Sequence, residues 1–327
     1  MGRQRVSGRA LPAFATGRPR GELRPRDCGR GGGSVIEGDR SSLLPQFRRH
    51  PRHWRDNLYI YPVISRRSRG LSIGVNLNPD AACNFDCVYC QVDRSGEPRV
   101  RTVELPRLGE ELAGMIAAAQ GGALFADPAF GDVPKGLRRI NDIAFSGDGE
   151  PTTCKVFREC VGLAAELKRQ ARLEAAKIVL ITDACYLTKP EVVEALAVMD
   201  RNHGEIWAKL DAGSEGYYRT VNRPNFPLQH VIDNIIAAGR VRPIVIQSLF
   251  MRLHGAGPDR AELDAYTGRL KEILRAGGRI HYVQVYTVAR PPAEGFVSAL
   301  SDDDVNRIAE LIRGDTGLLA ETFYGAG

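Results

Sequence analysis

Leu71-Ser72-Ile73-Gly74-Val75-Asn76-Leu77-Asn78-Pro79-Asp80-Ala81-Ala82-Cys83-Asn84-Phe85-Asp86-Cys87-Val88-Tyr89-Cys90 joins an apolar, β-rich run to three closely spaced cysteines. The run 71–77 is too apolar to be half-exposed and reads as a strand of a sheet covered on both faces. The cysteines then fall in the loop leaving its C-terminal end. Working outward, similar runs recur at 142–145, 177–182, 205–210, 244–250 and 280–288, with helical patterns between and after them. That alternation is the mark of βα units on a parallel sheet. Six units in roughly 220 residues predict an α/β chain built as a partial (β/α)6 TIM-type barrel rather than a doubly wound sheet, with function at the strand ends.

The helical patterns carry their own signals. In 107–119, Leu108, Leu112, Ile116 and Ala119 fall on one face. The pattern 228–238 meets Gly239, a common helix stop. Ser301 with Asp304 resembles a capping box, and Val305, Ile308 and Ile312 mark the buried stripe of a last helix.

The chain has 327 residues, 43% hydrophobic and 26% charged, the range of ordinary globular proteins. It lacks any run near ~18 apolar residues and any apolar stretch behind its N-terminal charges, so neither a membrane span nor a secretory signal is expected. A cytoplasmic chain is the expectation, and its seven cysteines then read as thiols or metal ligands rather than a disulfide framework. The net charge of +6 is uneven: residues 1–69 carry 16 arginines against five acids, and the rest of the chain is mildly acidic. Three segments follow. Residues 1–44 read as a disordered Arg/Gly-rich tail, 45–69 as a lead-in with Phe47, Trp54, Tyr59, Ile60 and Tyr61, and 70–327 as the core barrel with its C-terminal helix. The basic stretch 48–55, with Arg66, Arg67 and Arg69 beyond, mixes cations with an aromatic as RNA-binding segments do, although a solvated or packing face is the commoner fate.

Three thiolates spaced Cys-x3-Cys-x2-Cys can hold three corners of a four-iron cluster and leave the fourth iron open. On residues alone a zinc site remains open, with Cys154, Cys160, Cys185 or a histidine as fourth ligand, as does a thioredoxin-like use of Cys87 and Cys90. At the end of the second strand stands Gly149-Glu150-Pro151. A glycine lets backbone approach a ligand, and a carboxylate can accept charge-assisted bonds from an ammonium. By itself the tripeptide is an ordinary strand-to-helix turn.

Together, the cysteine loop with Tyr89 before its third cysteine, and Gly149-Glu150-Pro151 one βα unit later, resemble the radical S-adenosylmethionine (radical SAM) superfamily. The resemblance implies one [4Fe-4S] cluster on Cys83, Cys87 and Cys90, and SAM beside Gly149 and Glu150. It implies reductive cleavage of SAM to a 5′-deoxyadenosyl radical that abstracts hydrogen from substrate, fed by a low-potential donor such as flavodoxin or ferredoxin. Thr182, in Thr182-Asp183-Ala184, stands where the family often has Thr-Asn-Gly. Trp207-Ala208-Lys209-Leu210-Asp211-Ala212 is similar to the family's strand-end Leu-Asp-Ala segment, and alternation puts Lys209 and Asp211 on one face, toward SAM, substrate or each other. The phrase 73–79 resembles the branch of wyosine-type tRNA-modifying enzymes, which hold a second, N-terminal cluster; residues 1–82 contain only Cys28.

The substrate is left unidentified, an RNA base being one option. A non-catalytic zinc or iron–sulfur binding protein is the alternative, or, among enzymes, a glycyl-radical activase. Cys154 and Cys160 read as buried thiols. His254, Arg219, Arg223 and Arg290 are loop residues that could serve substrate or merely pair at the surface, and Gln247, Ser248, Gln284 and Tyr286 could line the barrel or satisfy one another.

Overall fold

The computed structural model describes residues 54–92, 100 and 102–325. The tail 1–44 and residues 48–53 of the basic stretch lie outside the described residues. Eight strands form one sheet: β1 (Ile60–Ser65), β2 (Gly70–Val75), β3 (Ile140–Phe145), β4 (Lys177–Thr182), β5 (Gly204–Lys209), β6 (Ile244–Leu249), β8 (Ile280–Tyr286) and β10 (Ala320–Phe323). The short β7 (Met251–Leu253) and β9 (Val297–Ala299) pair separately as an antiparallel ribbon. Strand order in the large sheet follows chain order, and every pairing is parallel except β1 with β2. Neighbours joined in sequence order by helical crossovers are the topology of a barrel wall, here curled and open.

All six expected strands are present, and two more frame them. β1 comes from the lead-in and doubles back on β2 through a turn at 66–69, so residues before 70 share the sheet. β10 follows the last helix and pairs with β8, so that helix does not end the fold.

Longer helices alternate with the strands: α1 (Leu105–Gln120), α2 (Phe157–Gln170), α3 (Pro190–Asp200), α4 (Glu215–Asn222), α5 (Leu228–Val241), α6 (Arg260–Arg275) and α7 (Asp302–Thr316). The reason for nearly continuous apolar strands is now visible. Ile143, Phe145, Ile178, Leu180, Ile206, Ile246, Val283 and Val285 face the helices and pack with Leu108, Leu112, Val161, Leu196, Ile235, Ile273 and Ile308 in the main core. The alternate residues Ala144, Val179, Trp207 and Val245 form a second cluster on the other face. Each fully buried Leu or Ile of such a core contributes about 1.5–3 kcal/mol relative to exposure.

One helix end differs from the reading. α5 runs through Gly239 to Val241, and the chain turns extended only at Arg242, before Pro243. Gly239 serves packing instead: a Cβ there would lie 3.1 Å from Arg279 N and from Gly278 Cα, and its carbonyl accepts Arg279 N–H at 3.1 Å. At α7 the capping box is complete, Ser301 accepting from Asp304 N and the Asp304 carboxylate accepting from Ser301 N. Among the described residues no helix is long and apolar enough to cross a membrane. Ser301→Ala is expected to cost about 0.5–2 kcal/mol in denaturant unfolding through loss of this cap, with the unfolding slope unchanged.

Candidate active site

The cysteine loop does not hang free from β2. Its backbone lies along the end of α4 like a short strand: Asp86 N–H bonds Asn222 O at 3.0 Å, Val88 N–H bonds Val221 O at 2.9 Å, and Asn225 N–H bonds Asn84 O at 3.1 Å. Phe85 bridges to Pro224 and meets the Tyr218 ring edge to face at 5.7 Å. Val88 packs with Val221, Leu249 and Met251. The short helix that supplies this ledge starts at Ser214, whose hydroxyl accepts from Tyr217 N, and ends where Arg223 turns left-handed at φ 43°.

Side chains complete the docking around Asp211, whose carboxylate is wholly buried. It accepts the Tyr89 hydroxyl, Asn222 Nδ2 at 2.9 Å and Leu249 N at 2.9 Å, and faces Lys209 Nζ at 3.4 Å. Asn222 Nδ2 also reaches Cys87 Sγ at 3.4 Å. Lys209 Nζ donates to the Tyr286 hydroxyl at 3.2 Å and lies 4.9 Å from the centre of the Tyr89 ring. Burial, the largest single effect, would lower the lysine's pKa, but Asp211, Tyr286 and Cys87 together outweigh it and the net push is upward, so Lys209 is a fixed cation. Burial, reinforced by Asp211, raises the Tyr89 pKa well above its ordinary value, which keeps the hydroxyl a donor. Sequence alternation gave Lys209 and Asp211 one face; the structure joins them as an ion pair that also fixes Tyr89. Asn222 was missed, because nothing local in Tyr218-Arg219-Thr220-Val221-Asn222-Arg223 marks an asparagine that contacts a loop 132 to 139 residues earlier.

The Gly-Glu-Pro segment is braced against the same loop from the opposite side. Asn76 Oδ1 accepts from Asp148 N at 3.1 Å and its Nδ2 donates to Asp148 Oδ2 at 2.6 Å, while Asn78 Nδ2 donates to Thr153 Oγ1 at 2.8 Å. Glu150 N–H bonds Ala82 O at 3.1 Å, and a Cβ on Gly149 would stand 1.9 Å from that carbonyl oxygen. The glycine thus admits the backbone leading into Cys83, a role that the expectation of ligand approach did not foresee. Buried Glu150 accepts from Thr152 N at 3.1 Å, Thr152 Oγ1 at 2.5 Å and Thr182 Oγ1 at 2.7 Å through one oxygen, and from Asp183 N at 2.7 Å through the other. The Thr182 hydroxyl is therefore committed to Glu150 and accepts Ala184 N at 3.0 Å. Burial, with the Asp183 carboxylate nearby, pushes Glu150 up to about 8. Asp183 is buried and raised for the same first reason. Asn84 faces it closely enough to temper that rise, yet neither Asn84 Nδ2 nor Asp183 Oδ2 completes a hydrogen bond.

Cys83, Cys87, Cys90, Tyr89, Gly149, Glu150, Thr182 and Lys209 line one cavity of about 350 Å³ at the C-terminal ends of the strands, and Asp211 stands behind its wall. Cys154, Cys160 and Cys185 are not among its lining residues. Nor do the other loop candidates enter it, apart from Arg290: His254 stacks on Phe296, Arg219 pairs with Glu215, and Arg223 pairs with Glu294. Gln247 donates to Gln284 at 3.0 Å, and the Ser248 hydroxyl bonds Leu210 O at 2.6 Å. Burial pushes the Cys83 thiol up to about 12 and Cys87 to about 11. Among the described residues no three cysteine, histidine or carboxylate side chains converge on a common metal position. The three thiols share a cavity wall without closing on one point. As a donor set they are soft, three thiols facing one cavity, with no fourth cysteine lining it among the described residues.

Gly149→Ala would drive a methyl group into Ala82 O, and we expect a loss of several kcal/mol, larger than the common ~1–3 kcal/mol of overpacking because the obstacle is backbone. The pH dependence has a defined sign. Glu150 holds its proton more tightly folded, at about 8, than at its ordinary 4.5, so its contribution to stability is full below about 4.5 and is lost as pH rises through 8. Thermal melts of the metal-free chain from pH 5 to 8 should show this decline, and Glu150→Gln should flatten it.

No protein-family model matches the chain. It is 22% identical over 250 residues to the GTPase Obg of Brachyspira hyodysenteriae, a match covering 75% of this chain and 32% of that one. It is 26% identical over 180 residues to UPF0026 protein MJ1312 of Methanocaldococcus jannaschii, covering 54% of this chain and 46% of that one. The matches thus span less than half the length of each of these relatives. In structure the chain is similar to a radical SAM methyltransferase from Sphaerobacter thermophilus, with a TM-score of 0.55 at 15% identity over 82% of this chain and 70% of that one. The likeness to archaeal TYW1 is slighter, with a TM-score of 0.43 at 13% identity over 76% and 72%. The curled, largely parallel sheet thus shares its fold with that methyltransferase.

Proposed function

We propose that the chain is a radical SAM enzyme, holding one [4Fe-4S] cluster on Cys83, Cys87 and Cys90 and SAM beside Glu150. The observation that carries this reading is convergence: three thiols, a buried acceptor carboxylate and a fixed cation line one cavity at the strand ends. Bound there, cluster and SAM would supply reductive cleavage of the sulfonium and a hydrogen-abstracting radical, with electrons from a low-potential donor such as flavodoxin or ferredoxin.

The chain's own residues prepare that site. Cys83 and Cys87 must release their protons to hold iron, so assembly is coupled to proton loss. Among the described residues one oxygen of Glu150 accepts only from Asp183 N, which leaves it acceptor capacity for an ammonium. Thr182 and Asp183 N fix that carboxylate's orientation, so Thr182 is a positioning residue. Lys209 offers a permanent positive charge suited to a carboxylate or to a negatively charged metal centre, and Asp211 holds Lys209 and Tyr89 in place. The substrate of this reading is unnamed, and its setting is the cytoplasm, where thiols stay reduced.

Cys87→Ala should lower iron from about four per chain to a small remnant after anaerobic reconstitution. Glu150→Gln should keep the iron and weaken SAM binding about 10- to 100-fold, the range expected for losing a charged hydrogen bond. Unchanged iron in Cys87→Ala, unchanged SAM affinity in Glu150→Gln, or a single zinc in the wild type would overturn the reading.

A further inference from the structure

The cavity extends beyond the residues that this chemistry uses, to the turn between β1 and β2. Arg66 and Arg67 of that turn line it together with Trp207 and Tyr286. The Arg67 guanidinium lies 5.4 Å from the centre of the Trp207 ring and 5.2 Å from that of Tyr286. These rings belong to β5 and β8, three and five places along the sheet from β2, so Arg67 reaches over the cavity toward them. Beside it Arg66 donates to Tyr324 O, just past β10, and ties the two edges of the sheet together.

The two arginines share the cavity without an acid against either guanidinium among the described residues. Several described arginines meet acids, as Arg107 does Glu111, Arg158 Glu194, Arg242 Asp200 and Arg252 Asp304, and others, such as Arg138 and Arg240, are met by backbone carbonyls. Burial, and then the charge of Arg67, lowers the Arg66 pKa, a sign that the two cations repel each other in a poorly solvated place. The buried acid of the same wall, Asp142, is bonded to Ser72 and Ser68, and burial raises its pKa, so it offers a weak counter-charge. Half-buried like charges without a counter-charge are costly, and an anion between them would relieve both. A guanidinium stacked on aromatic faces keeps its N–H edge free for two-pronged binding of an oxyanion.

We propose that Arg67, assisted by Arg66, anchors the substrate of this cavity by an oxyanion, either a carboxylate or a phosphate. The occupant is then a small anionic molecule held by its charged end at the turn, with its uncharged part between the turn and the cysteine loop. This assignment rests on the radical SAM reading for its place in a reaction, but the anion site stands on the turn's own geometry.

The test is equilibrium dialysis of the full, reconstituted chain with labelled inorganic phosphate and labelled malonate. At least one probe should bind saturably, once per chain, about tenfold or more weakly in Arg67→Gln, and with unchanged affinity in Arg69→Gln, an exposed neighbour on the same turn. Arg67→Lys, which keeps the charge but loses the fork, should fall between. The probe that binds names the anion. No saturable binding of either, or equal binding in Arg67→Gln and wild type, would overturn the proposal. SAM binding measured in parallel on the wild type separates the two claims: its absence overturns the enzyme reading, and its presence without anion binding overturns this inference alone.

Discussion

Asp211 is a carboxylate with no exposure to solvent, and a buried charge is tolerated only when other groups meet it. Here they arrive from four directions: Lys209 from its own strand end, Leu249 N from β6, Asn222 from the end of α4, and Tyr89 from the cysteine loop. The need to satisfy one acid therefore sets the relative position of a strand, a helix end and the loop. Because Asn222 also reaches Cys87 Sγ, the network extends to a sulfur that faces the cavity. Such networks act as units, since removing one member leaves the others buried and unpaired.

A second constraint works from the opposite side of the loop. Asn76, Asn78 and Ala82 lead into Cys83, and they bond Asp148, Thr153 and Glu150 respectively. The two segments with chemical character are thereby held to each other, and Gly149 is required by their contact. The site's two segments are thus fixed by their own hydrogen bonds. Its electrostatics are balanced for a cationic guest near Glu150 and Asp183, and for anionic ones near Lys209 and the β1–β2 turn.

Much of this was legible in the sequence because it depends on short range. The six central strands are apolar on both faces and announce themselves, and the spacing of three cysteines after the first is a local pattern. The capping box at Ser301 is four residues long and formed as read. What escaped depends on distant partners. β1 draws its strand character from pairing with β2, and β10 is only four residues long, Ala320–Phe323. Gly239 has the composition of a stop signal, but its neighbours Gly278 and Arg279 make it a packing site. Thr182 stands at the expected strand end, while its commitment to Glu150 is set by a contact 32 residues away. Asn222 gives no local sign of Cys87, and Arg67 gives none of Trp207.

The most direct measurement is electron paramagnetic resonance of the reduced, reconstituted chain with SAM carrying a nitrogen-15 label in its amino group. The radical SAM reading predicts a four-iron signal that changes on adding SAM and shows hyperfine coupling to the label. A signal indifferent to SAM, or a colourless protein that holds zinc, would contradict the central claim.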